Sequence, residues 1–505
     1  MLSRIQTATI RGIDAVAVTV ETDISKGMPG TEIIGHAEST IRESKQRIHA
    51  AIENSGMKYP KGKIVINLSP ADITKRGSLF DLPIAVGILV SSGQLPTRAE
   101  DICMAGELSL NGELRGIRGV VPFLLECREN GARKALIPAE NQKEASLIRD
   151  MEITAVETLA QAAEFLRGTV EYPTIEQIDF NSIIVNREGE HDFADVRGQE
   201  TAKRALVIAA AGGHGILMMG SPSTGKTMLA ECMPTILPPL DAEDLLRVAC
   251  IYSVSGMLQN DLTPVFQRPF RRPHHHITRA GLIGGGHPAL PGEVTLANCG
   301  VLFLDEFGEF QRQVIDLLRQ PMESREVRLT RAGESYVFPA DFLLVAASNP
   351  CRCGYYRDPF HPCRCTMTEV NRYQSRISGP IMERIDIHIQ LSPVSYADLG
   401  SGSSMSSAEM RADVERARQI QADRFRRSKI KMNSLMNSRQ CQNHLNCSRE
   451  GKRFLAAAYD RYHLNPRTLL KVKKVARTIA DVDGSEVVTE AHLAEAIHYR
   501  RENQE

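Results

Sequence analysis

Eight consecutive residues carry the clearest chemistry in this sequence: Gly220, Ser221, Pro222, Ser223, Thr224, Gly225, Lys226 and Thr227. They fit the pattern G-x-x-x-x-G-K-[ST], which cradles phosphate for a physical reason. Its glycines let backbone N–H groups turn inward around an anion, and the helix that follows adds the positive end of its dipole. In such a loop Lys226 reaches the β- and γ-phosphates of ATP and Thr227 offers its hydroxyl to Mg²⁺. Ser223 stands where related loops often carry Gly. The site also needs an acid for the metal and a group to orient the attacking water. Asp305 and Glu306 end the apolar run Val301 to Leu304 and offer both, Asp305 toward Mg²⁺ and Glu306 toward the water. Such an acidic pair is neutral alone and informative beside a phosphate loop. Asn349, at the end of the run Phe342 to Ala347, could touch the γ-phosphate or the water, although Asn349 and Pro350 together are also a turn signal.

Four of the eleven cysteines crowd into one short stretch, Cys351, Cys353, Cys363 and Cys365, in the pattern C-x-C-x₉-C-x-C. Four thiolates make a closed tetrahedral set for structural Zn²⁺, with free thiols or a redox role as the alternatives. Two further segments are basic. From Gln267 to Pro288 the chain has four Arg, four His and no acid, and its Gly-rich character suits nucleic acid better than metal. From Glu326 to Pro339 two β-prone runs flank a Gly-containing turn, with Arg325, Arg328 and Arg331 along the first arm as candidate DNA-phosphate contacts, against the alternative of a solvated charged hairpin.

These groups must be held by an alternating α/β pattern. A helix over Glu200 to Gly213, a strand over Ile216 to Met219 and the later apolar runs predict a parallel sheet. Residues 1 to 170 also alternate, with a strand at Lys63 to Leu68 and a helix at Glu43 to Asn54. Residues 171 to 194 read as a linker, 398 to 409 as a Ser- and Gly-rich spacer, and 410 to 505 as helical, starting from a charged helix over Ala408 to Arg427. At 505 residues the chain holds roughly three domains at about 150 each. Its 61 Lys plus Arg balance 61 Asp plus Glu, which excludes a uniformly basic nucleic-acid coat but leaves room for a local basic patch. No apolar run is long enough for a membrane span, and the N-terminus lacks a signal-peptide core, so the expected compartment is the cytoplasm, with thiols reduced rather than in a disulfide framework.

The series from Asp195 to Gln199, through the phosphate loop, Gly300 to Phe307 and Ala347 to Pro350, resembles an AAA+ ATPase. The segments Arg268 to His276 and Gly284 to Val294 are similar to the magnesium-chelatase-like branch, and over nearly the whole chain the match is to its YifB/ComM group. The resemblance implies an AAA+ core over 195–397, with a helix-2 insert near 266–290, a pre-sensor-1 hairpin near 325–339 and the four-cysteine loop at 351–365. A helical lid would follow. It makes Asn349 the sensor-1 residue, Arg384 the arginine finger entering the neighbouring subunit's site, with Arg376 as fallback, and Arg467 a sensor-2 residue contacting phosphate in cis. Glu383 replaces the more usual Asp, and Asn465 and Pro466 replace the usual small residues before Arg467.

Residues 1–170 resemble the proteolytic domain of Lon, an α+β fold of the ribosomal S5 domain 2 type, with Leu79 at the nucleophile position and Val121 at the lysine position. Ser78 and Lys75 lie nearby without a matched partner, so the dyad is read as absent and a protease is disfavoured. The implied activity is a hexameric ATP-driven DNA helicase of branch migration, working on single-stranded or branched DNA with recombination proteins in natural transformation. The alternative is a chelatase-type remodelling ATPase acting on a protein partner for metal insertion.

Overall fold

The computed structural model describes residues 2–180, 191–258, 261–331, 334–394 and 405–501. Its centre is a five-stranded, all-parallel sheet in the order Phe270–Arg271, Val301–Leu304, Leu343–Ser348, Ile216–Gly220, Ile387–Leu391. Both faces of this sheet are covered, so its strands read as unbroken apolar runs. Side-chain alternation divides them between two cores. Leu302, Leu304, Leu344 and Ala346 pack into a core continuous with the N-terminal domain. Val301, Phe303, Val345, Ala347, Ile216 and Met218 pack with the helices Glu200–Gly212, Ser407–Phe425, Pro466–Val482 and Glu490–Arg501.

The N-terminal domain is mixed α/β. A four-stranded sheet runs in the order Ser3–Arg11, Asp14–Ser25, Lys63–Ser69, Gly30–Ile34, and a second, parallel sheet joins Ile102–Met104, Lys134–Pro138 and Glu152–Val156. The expected helix starts earlier, covering Ser39–Asn54. Leu79 and Val121 are buried, so apolar side chains fill both positions matched to the Lon dyad. Lys75 is also buried, its ammonium donating to the Pro70 carbonyl. This domain docks on the core helix Ala242–Ser255: the Gly119 amide donates to the Ser253 carbonyl at 3.1 Å, and the Ser253 hydroxyl donates to Glu144 at 2.5 Å.

Three expectations about connections change. The linker begins later than residue 171, because Thr174 pairs with Thr154 and the Ile178 amide donates to the Ser146 carbonyl at 2.9 Å. The remainder of that linker, 181–190, and most of the spacer lie outside the described residues, and the helix after the spacer already begins at Ser407, capped by Ser406 and Glu409. The sulfurs of Cys103 and Cys127 are paired as a disulfide in the N-terminal domain, against the expectation of reduced thiols throughout. Among the described residues no helix is long and apolar enough to cross a membrane.

Candidate nucleotide site

Parallel strands bring their carboxyl ends to one edge of the sheet, where ligands of such folds bind. Three candidate residues arrive there by register. Gly220 ends the strand paired with Leu343–Ser348, which sets Asn349 beside it, and Asp305 follows Leu304, the partner of Ala346. A methyl group on Gly220 would meet the Leu391 carbonyl oxygen at 2.8 Å, which explains the first glycine of the loop. Gly225 has φ 87 and Ser223 has φ 65, so Ser223 adopts a left-handed conformation that ordinarily favours glycine.

Lys226 folds onto its own loop, donating to the carbonyls of Gly220 and Ser221 at 2.7 Å each. Burial pulls its pKa down to about 8, opposed by the Asp305 carboxylate. The Thr227 hydroxyl donates to Asp305 at 3.2 Å, which sets two oxygen donors side by side, as Mg²⁺ requires. Glu306 has φ 51 and donates its amide to the Asp305 carboxylate at 2.9 Å. Asn349 lines a cavity of ≈ 410 Å³ together with Gly220, Met219 and Gln390.

The basic segment after Gln267 serves this site rather than standing free of it. Arg272 follows the edge strand Phe270–Arg271 and pairs with Asp305 at 2.6 Å and with Glu231 at 2.8 Å. His275 lies 3.2 Å from Glu306. Arg271 is paired with Glu293 at 2.6 Å, and Arg268 donates to the carbonyls of Pro238 and Cys299 at 2.5 Å each. The reading of this stretch as a mobile nucleic-acid loop is therefore corrected for Arg268, Arg271 and Arg272, whose guanidiniums are committed within the chain. Sequence reasoning missed Arg272 and His275 as site residues. A basic strand one crossover from Asp305 and Glu306 was the available signal.

Arg384 and Arg467 stand at the opposite edge. Arg384 precedes the strand Ile387–Leu391, whose first amide donates to the Gly215 carbonyl at 3.0 Å, at the amino end of the strand leading to the phosphate loop. About 15 Å of strand separates them from that loop. Arg384 pairs with Glu323 at 2.8 Å, and Arg467 bonds the same carboxylate while lying 3.8 Å from Glu383. This geometry does not place Arg467 on its own chain's phosphates. Lys471 fastens the corner, donating to the Arg384 carbonyl at 2.7 Å and to Asp386 at 2.5 Å. Burial alone would raise the Asp386 pKa, but Lys471 and His214 hold it well below the carboxylate range. The fallback Arg376 pairs with Glu309 at 2.8 Å.

The four cysteines form one cluster, their sulfurs all within 4.8 Å of each other. Cys351 lies 3.4 Å from Cys353 and 3.7 Å from Cys363, with 3.5 Å between Cys353 and Cys363. Zn–S bonds of about 2.3 Å at tetrahedral angles require sulfurs about 3.8 Å apart, so this donor set fits zinc.

Three family models describe this chain: magnesium chelatase subunit ChlI over residues 192–399, its C-terminal region over 404–500, and subunit ChlI of Mg-chelatase over 20–141. Competence protein ComM of Haemophilus influenzae is 39% identical over 496 residues, 97% of this chain and 95% of its own length. The chain belongs to the YifB/ComM family of magnesium-chelatase-like AAA+ ATPases. YifB of Escherichia coli is 39% identical over 502 residues, 99% of this chain and 97% of its own. Lon protease 2 of Bacillus subtilis is 32% identical over 169 residues, 32% of this chain and 30% of its own. For a member of this family, ATP and Mg²⁺ are the implied ligands of the loop and of the Thr227 and Asp305 oxygens.

In this YifB/ComM-family chain the pre-sensor hairpin, Glu326–Arg331 paired with Glu334–Pro339, leans on the N-terminal domain. Arg76 pairs with Glu334 at 3.0 Å and bonds the Tyr336 hydroxyl. Arg328 is 64% exposed and pairs with Glu326 on the same arm at 3.0 Å. Arg325 is not on the hairpin arm. It ends the preceding helix at φ 58 and is committed to the Phe342 carbonyl at 2.8 Å and to Asp341 at 3.1 Å. The side chain of Arg331 lies outside the described residues.

Proposed function

We propose that this chain is a cytoplasmic, ATP-dependent DNA motor assembled as a homo-oligomeric ring, by family a hexamer, acting as a helicase that promotes branch migration during homologous recombination in natural transformation. The observation that carries the ring is the separation of the two halves of the ATPase machinery. Lys226, Thr227, Asp305, Glu306 and Asn349 share one edge of the sheet, whereas Arg384 and Arg467 share Glu323 at the other. Two arginines converging on one exposed acid, a strand's length from their own phosphate loop, are suited to a neighbour's γ-phosphate, where they would stabilise transition-state charge. Both arginines then act in trans.

Residues divide the work as follows. Backbone amides of the loop and Lys226 bind the phosphates, and Thr227 and Asp305 would hold Mg²⁺, which would supply positive charge to the reacting phosphates. Glu306 and Asn349 orient the attacking water, and Glu306 accepts its proton. The Cys351, Cys353, Cys363 and Cys365 thiolates would hold zinc as a closed site without reaction chemistry.

DNA is the proposed track, supported by the competence function in the relative's name and by the exposed Arg328 on the hairpin. Contacts of that kind are sequence-independent and weaken with salt. ATP turnover measured with and without forked and three-stranded DNA tests the reading. Stimulation with strand displacement supports the motor. No response to any DNA overturns it in favour of a chelatase-type ATPase that remodels a protein partner.

A further inference from the structure

The four-cysteine loop lies directly against the phosphate loop. Between the strand Leu343–Ser348 and the helix Met367–Gln374 the described chain has no helix or strand, yet this stretch presses on two residues of the nucleotide cradle. At Gly354, with φ 89, a methyl group would stand 2.7 Å from both Cγ and Cδ of Pro222. The backbone here therefore sits as close to the phosphate loop as a glycine allows. Asp358 caps its own turn, accepting from the amides of Phe360 at 2.9 Å and His361 at 2.8 Å, with its side chain only 1% exposed. The Ser221 hydroxyl of the phosphate loop faces the same carboxylate and, with those amides, holds its pKa down to about 2. On the other side, Cys351 is buried two residues beyond Asn349.

An irregular segment of this length is ordered only against an entropic cost of about 1–2 kcal/mol per residue. Clustered thiols supply the constraint: they pin both ends of the segment, and Gly354 and Asp358 lie between the pins. We propose that the Cys351–Cys365 loop is a clamp on the phosphate loop, with Gly354 and Asp358 as positioning residues, so that metal loading of the four thiols sets the affinity for the nucleotide phosphates. This rests on the reading of the thiols as a zinc site. The clamp makes the metal a determinant of nucleotide binding from outside the Mg²⁺ position, through the contacts of Gly354 and Asp358 with the phosphate loop.

The test uses the full chain, zinc analysis and equilibrium binding of a fluorescent ATP analogue. Wild type carries one zinc per chain. The double variant Cys363→Ser/Cys365→Ser loses it and binds nucleotide about tenfold more weakly, the scale expected when a preorganised anion cradle is misplaced. Gly354→Ala keeps its zinc and shows a similar loss, because its methyl group displaces Pro222. Adding Pro222→Ala to Gly354→Ala removes the overlap but not the strain of a non-glycine residue at φ 89, so it recovers part of the binding, a rescue that general destabilisation does not produce. Zinc-free wild type overturns the metal reading and the clamp with it. A double serine variant that loses zinc yet binds nucleotide as wild type does overturns the clamp alone. Should that variant not fold, unchanged affinity in Gly354→Ala overturns the clamp equally.

Discussion

The pairing of Arg272 with Asp305 makes a quantitative prediction about magnesium. Asp305 accepts from Arg272 at 2.6 Å as well as from Thr227 at 3.2 Å, so the carboxylate proposed for Mg²⁺ also has a cationic partner. Mg²⁺ held by Asp305 and Thr227 would compete with Arg272 for the same carboxylate oxygen. Its side chain is 44% exposed and that of Asp305 is 22% exposed, which puts the pair near the aqueous end of the Coulomb range, where ion pairs contribute about 0.2–1 kcal/mol. The second acceptor, Glu231 at 2.8 Å, pre-orients the guanidinium and favours the upper end, about 1 kcal/mol. At about 1.4 kcal/mol per factor of ten, Arg272→Ala is expected to tighten Mg·ATP binding about fivefold. The gain should shrink with added salt, because the pair is open to screening. Titration of a fluorescent ATP analogue in Mg²⁺ and in EDTA reads both states. The gain belongs to the Mg²⁺ series alone, since metal-free nucleotide has no need of Asp305. Weaker binding in Mg²⁺ would overturn this competition and make Arg272 a phosphate ligand, and an equal gain in EDTA would overturn it by showing that the effect does not pass through the metal.

The remaining predictions concern the ring, the domain junction and the track. Arg384→Ala assembles as wild type in sedimentation yet loses turnover by about 10³-fold or more, and mixing it with Lys226→Ala chains recovers part of the phosphate release, because each supplies the half the other lacks; wild-type turnover in Arg384→Ala sinks the shared site. Glu144 is buried at the domain junction against Ser253, and burial raises its pKa from 4.5 to about 7 despite hydrogen bonds from Ser253 and Asn141. The folded chain therefore binds the extra proton between those values, so this contribution to stability is full below pH 4.5 and is lost as pH rises through about 7. Glu144→Gln should flatten that dependence and raise the melting temperature at pH 8, by an amount equivalent to at most about 3 kcal/mol; an unchanged pH profile in calorimetry counts against the assignment. Arg328→Ala should weaken DNA binding alike for all sequences and reduce the salt slope by about 1, read by anisotropy titrations at several salt concentrations.

How far the site could be read in advance depends on how local each part is. Lys226 and Thr227 belong to a contiguous strand, loop and helix, so residue order alone places their groups around a phosphate. Asp305, Glu306 and Asn349 follow buried apolar runs, and a parallel sheet brings such strand ends to one edge, so they too were legible. The strands themselves were easy to locate and hard to orient. With both faces buried, no polar alternation tells which residues meet the N-terminal domain and which meet the lid.

Residue types and spacing by themselves determined the phosphate loop, the acidic pair, the cysteine set and the helical C-terminal region, whereas the Lon dyad positions at Leu79 and Val121 were legible only through the family resemblance. Only the tertiary structure decided what those parts touch. Arg272 reaches Asp305 because the edge strand Phe270–Arg271 pairs in register with Val301–Leu304, a fact of strand order. Arg384 and Arg467 meet at Glu323 because the lid packs on the sheet's second face, 83 residues apart in sequence (467 minus 384) and one acid apart in space. The four-cysteine loop covers Ser221 and Pro222 because the strand Leu343–Ser348 lies beside the phosphate-loop strand. Composition and periodicity report each segment's own preference, whereas these contacts depend on how segments distant in the chain share two buried faces of one sheet.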